Sequence, residues 1–77
     1  MDNNEQNPQG KIGQVSGAIG PNTLGEVIIS IRGGSEAFLA RAENNNQEFK
    51  PGERVLILEY HAPRNVIVTN LLTEKEN

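Results

Sequence analysis

Five short runs rich in β-branched residues, each closed off by Gly, Pro or Asn, dominate this chain and point to strands joined by tight turns. The runs span residues 11–19, 24–32, 36–43, 54–60 and 65–72, and each has the length of an ordinary strand. Ile and Val together supply twelve residues and Leu only six, which again favours strands over helices. The separators are Gly20-Pro21-Asn22-Thr23, Gly33-Gly34-Ser35, the stretch from Asn44-Asn45-Asn46-Gln47 to Pro51-Gly52, and His61-Ala62-Pro63-Arg64. Gly and Asn tolerate positive φ and Pro holds φ near −65°, so these are turn residues for backbone reasons. The gap 44–53 has the length for a helical turn but no amphipathic pattern to pack one.

Alternation sets the faces. Val27, Ile29 and Ile31 share one side of the second run while Glu26, Ser30 and Arg32 take the other. In the third run Phe38, Ala40 and Ala42 oppose Leu39, Arg41 and Glu43. The first run places Gly13 and Gly17 on the side of Val15 and Ile19, where missing side chains let a strand bend sharply or a neighbour come close. Strongly bent strands close into barrels. The expected fold is therefore all-β, a small five-stranded antiparallel barrel of the oligonucleotide/oligosaccharide-binding (OB) type, with an SH3-like barrel as the alternative. The barrel occupies residues 11–72, preceded by a disordered polar lead-in (1–10) and followed by a solvated tail (73–77). Polar ends set so close to the folded part suggest one domain of a larger protein.

The fourth and fifth runs break the alternation. With Val55, Ile57, Val66 and Val68 facing inward, Leu56, Leu58, Tyr60 and Ile67 point outward, as does Ile28 on the second run. So many outward apolar side chains need a cover, supplied by the tail, by a second copy of the domain or by a protein partner. Ile28, Leu56, Leu58, Tyr60 and Ile67 are accordingly the candidate partner surface.

Little chemistry is on offer. The chain has one histidine, His61, one aspartate, Asp2 in the lead-in, and three serines, Ser16, Ser30 and Ser35, which do not make a nucleophile with base and orienting acid. His61 reads as a solvated loop residue. Glutamates are scattered about one per strand or loop, there is no cysteine, and no metal-ligand spacing occurs, so no cofactor, metal or catalytic residue is expected. Gly17-x-x-Gly20 and Gly33-Gly34 lack the following helix and Lys of a phosphate-binding loop. The longest apolar run, Val55 to Leu58, is far short of the ~18 residues of a membrane span, so the domain itself is expected to be soluble. Nucleic acid is not an expected partner. The net charge is −3, and single-strand binders need a basic groove lined with stacking aromatics. Of Phe38, Phe49 and Tyr60, the first falls on the covered face and the second is expected to plug a barrel end, which leaves Tyr60 alone.

The pieces Gly13-Gln14-Val15-Ser16-Gly17, Leu24-Gly25-Glu26-Val27-Ile28-Ile29, Phe38-Leu39-Ala40-Arg41-Ala42, Phe49-Lys50-Pro51-Gly52-Glu53-Arg54-Val55-Leu56-Ile57 and Val66-Ile67-Val68 resemble, in that order, the C-terminal domain of the NfeD family. Each is weak alone; together they cover nearly all of the expected barrel. The resemblance implies an OB-type barrel, the soluble domain of a multi-pass cell-membrane protein whose helices lie outside this sequence, on the cytoplasmic face. It also implies a partner, a flotillin-like (stomatin/prohibitin-type) scaffold protein of membrane microdomains, and leaves room for a homo-oligomer. Long family members add a serine protease domain with a Ser/Lys dyad; nothing here matches it, and no protease activity is carried over. Gly17, Gly25, Ala40, Gly52, Val55 and Val68 match as framework positions. The Gly33-Gly34 turn and the Asn44-Asn45-Asn46 loop are more polar than the family pattern. The expected function is thus a non-catalytic protein-interaction module, the alternative being a barrel that binds single-stranded nucleic acid or oligosaccharide.

Overall fold

A computed structural model describes residues 7–31 and 33–71. Five strands form: β1 (Ile12–Gly17), β2 (Gly25–Ile31), β3 (Gly34–Ala42), β4 (Arg54–His61) and β5 (Asn65–Asn70). They close into one barrel in the order β1-β2-β3-β5-β4, with β4 returning to β1. This is the OB-type barrel, and the SH3-like alternative falls away.

One expectation needs correction. The strands are not all antiparallel: β3 and β5 run parallel, Leu39 against Asn65 through Ala42 against Val68. The reason is parity, because a closed ring with an odd number of strands cannot alternate direction all the way round. The long segment between β3 and β4 crosses one end of the barrel and delivers β4 beside β1; the β4–β5 hairpin then inserts β5 next to β3.

The inward residues foreseen from alternation form the core: Val15, Val27, Ile29, Phe38, Ala40, Val55, Ile57, Val66 and Val68 are all buried, together with Ile19 and Phe49 at one end. Phe49 does plug that end. Its backbone exchanges two hydrogen bonds with Ile19, at 2.9 and 2.8 Å, and Gly52 N–H donates to Val15 O at 2.8 Å, so the 43–53 segment is stitched to β1 without any helix. Gly52 turns the chain with φ 98°, a value that favours glycine.

Two bulges shape the barrel. In β1 the register passes from Val15 opposite Val27 to Gly17 opposite Glu26, which makes Ser16 the extra residue and bends the strand toward Phe49. In β4 it passes from Ile57 opposite Val68 to Glu59 opposite Ile67, with Leu58 as the extra residue. The second bulge restores the inward phase for Tyr60, which pairs with the buried Val66.

The lead-in is shorter than expected. Pro8 is fully buried, and Gly10 N–H donates to Ile57 O at 2.8 Å, so Asn7–Gly10 continue the β1–β4 seam and are not a disordered linker. The rest of the expected lead-in, residues 1–6, the tail 73–77, Leu72 at the end of the fifth run and Arg32 lie outside the described residues.

Candidate interaction surface

Among the described residues the polar side chains do not converge on a reactive centre. His61 ends β4 with its side chain 59% exposed and its Nε2 2.9 Å from Glu59 Oε1, an ion pair when protonated and a surface contact otherwise. Ser16 Oγ donates to Glu26 Oε1 at 2.6 Å, an exposed side-chain contact. Among the described residues no cluster of three His, Cys, Asp or Glu side chains comes together to hold a metal ion.

The aromatic rings are spent on packing. Phe38 and Phe49 are buried. Tyr60, expected on the outer surface, leans on the core edge-on to Phe38, with ring centroids 6.0 Å apart at 87°, and its hydroxyl donates to Pro63 O at 3.1 Å. The Leu58 bulge is the cause, because one extra residue in a strand exchanges inside and outside for everything after it. Arg64 covers the other side of this cluster, 5.5 Å from the Phe38 ring centre, while its Nη1 donates to Glu36 Oε1 at 2.7 Å and Ala37 O at 3.2 Å. Tyr60 is thus the one aromatic ring that stays partly exposed.

What the outside carries is aliphatic. Ile28, Leu56, Leu58 and Ile67 are half-buried; the register brings Leu56, Leu58 and Ile67 together on the β4–β5 pair and leaves Ile28 apart. Ile28 sits between Gln14 and Ala37. Leu56 lies beside Ile12 on the β1–β4 seam, next to the bulged Leu58. Ile67 lies on β5 between Arg41 of β3 and Glu59 of β4, with the bulged Leu58 beside Glu59 on the neighbouring strand. The most exposed large apolar residues, Leu24 at 52%, Ile12 at 46% and Leu39 at 43%, were not in the expected set. Leu39 and Arg41 already shared an outward face by alternation. That Ile67 would stand across from Arg41 depends on the parallel seam, and no local pattern encodes it.

Two cavities flank Arg41. One, of about 270 Å³, opens between Arg41 and the Gly20–Leu24 turn; the other, of about 410 Å³, lies between Arg41, His61, Asn65 and Ile67.

Fold and surface together define a class: a small closed OB-type barrel whose described residues assemble no catalytic or metal centre and whose outer wall carries aliphatic side chains. Within that class the family is specific, for the profile of the NfeD C-terminal domain matches residues 12–69, and the chain belongs to that family. Among solved structures, the C-terminal domain of stomatin operon partner protein 1510-C from Pyrococcus horikoshii is similar over 94% of this chain and 100% of that one, with 25% identity and a TM-score of 0.63. No curated protein sequence matches. No helix among the described residues is long and apolar enough to cross a membrane.

Proposed function

We propose that this barrel is a non-catalytic interaction module through which a membrane-anchored NfeD-type protein docks onto a stomatin- or flotillin-like scaffold protein. The observation that carries this reading is the match, over nearly the whole chain, to a domain of a protein described as a stomatin operon partner. The surface is compatible with it. Packed aromatics and a net charge of −3 suit neither a nucleic acid nor a sugar, whereas outward aliphatics suit a protein. The contact surface is drawn from those aliphatics, Ile28, Leu56, Leu58 and Ile67 among them. Membrane attachment through helices outside this sequence, a place on the cytoplasmic face and assembly into homo-oligomers belong to the same reading.

The test is co-purification from membranes with the full-length parent, with and without residues 11–72. The expected outcome is that a stomatin- or flotillin-like protein accompanies the intact parent and is lost on deletion of the barrel. Retention of that protein after deletion would move the contact to the membrane-embedded part and refute the module.

A further inference from the structure

We propose that residues 35–37 of β3 form a strand-pairing edge for a second copy of this chain, held shut by Arg64 and Glu36. The pairing is independent of a stomatin-type partner, because it uses backbone groups and not the outward aliphatic side chains.

β3 outruns its neighbour on one side. β2 pairs with it from Gly34 to Ala40, whereas β5 begins at Asn65 and pairs with it only from Leu39 onward. Across the β3–β5 seam Leu39 N–H donates to Arg64 O at 2.8 Å, and residues two apart on a strand turn their N–H and C=O to the same edge. The N–H and C=O of Ser35 and Ala37 therefore line the edge that β5 leaves bare, with no backbone partner among the described residues. Residues 35–37 are exposed. An edge in this state is a template for another strand unless something blunts it.

Arg64 sits where that strand would lie. Its backbone makes the first bond of the seam, and its side chain then runs on along β3: Nη1 donates to Glu36 Oε1 at 2.7 Å and to Ala37 O at 3.2 Å, with the guanidinium 5.5 Å from the Phe38 ring centre. One side-chain N–H thus takes the carbonyl that an added strand would need.

The free groups are self-complementary, which selects a second copy as the occupant. About a two-fold axis at Glu36, Ser35 of each copy faces Ala37 of the other, giving two pairs that each exchange two N–H···O bonds. The same axis sets the two copies' Glu36 side chains against each other, a like-charge pair that disfavours closure. Arg64 and Glu36 therefore oppose pairing in different ways, one by occupying a carbonyl and the other by charge. Their ion pair is half-exposed at both ends and weak, so the edge is shut by a light latch.

The test uses the 77-residue protein. Sedimentation at rising concentration reads self-association, and hydrogen exchange at the Ser35 and Ala37 amides reads where it occurs. In the wild type both amides are expected to exchange fast at every concentration. The double variant Glu36→Gln/Arg64→Ser is expected to self-associate about tenfold more tightly or better, with Ser35 and Ala37 gaining protection as it does so. Should that variant lose its amide dispersion, Glu36→Gln alone, a change at an exposed position, decides on the same two readouts. A folded variant that associates no better than the wild type overturns the proposal, as does association without protection at Ser35 and Ala37. Protection of these amides in the wild type would show that the edge is not held free and likewise overturns it.

Discussion

Gly25 opens β2 at a point where no side chain fits: a Cβ there would collide with the carbonyl oxygens of Gly17 and Ala18 and come within 2.6 Å of Ile19 Cγ1. Backbone cannot give way as a flexible side chain can, so Gly25→Ala is expected to cost about 3 kcal/mol or more, at the upper end of overpacking effects. A urea unfolding midpoint close to that of the wild type would show that the first strand has slack. Tyr60 makes a finer test. Tyr60→Phe keeps the edge-on contact with Phe38 and removes only the bond to Pro63 O, so the loss should be about 1 kcal/mol. A loss several times larger would mean that the hydroxyl, and not the ring, anchors the β4–β5 turn.

At the level of elements, the five strands were legible because a half-buried strand must alternate, and Val, Ile and the turn residues mark where each begins and ends. β4 is the exception that decided the site. Its apolar run Val55-Leu56-Ile57-Leu58 has no alternation to read, and the bulge at Leu58 is a solution to register against β5, not a property of those four residues. Simple alternation therefore places Tyr60 outside, and the bulge turns it toward the core. Deleting Leu58 removes the extra residue, leaves Glu59 opposite Ile67 and Tyr60 inward opposite Val66, and is expected to give a folded barrel with a regular β4–β5 ladder. Loss of amide dispersion, or unprotected β4 amides, would show that the bulge itself is needed to bend β4 around the barrel.

At the scale of the whole molecule, the crossing segment 43–53 converts a β-meander into a closed barrel. Phe49 does most of this, since it is buried at the end where β1 bends and its backbone is bonded to Ile19 on both sides. Phe49→Ala is expected to cost about 3–5 kcal/mol, a large share of the ~5–15 kcal/mol that holds a small domain together. Hydrogen exchange should then accelerate first at Ile19 and Gly52. Uniform acceleration across all five strands would argue that the plug has no local role. The same closure distributes the outward aliphatics. Leu56 beside Ile12, the bulged Leu58 and Ile67 run round the barrel from β1 through β4 to β5, while Ile28 stands apart on β2.

Local sequence, by itself, determined that this chain is a β-barrel domain, which residues line its interior and which family it resembles. All of these follow from residue identity and spacing along the chain. Only the tertiary structure decided the parallel β3–β5 seam, the inward turn of Tyr60, the packing of Pro8 and the company that Arg41 keeps. Those depend on pairings between residues far apart in sequence, where ring closure and register, and not local preference, set the outcome.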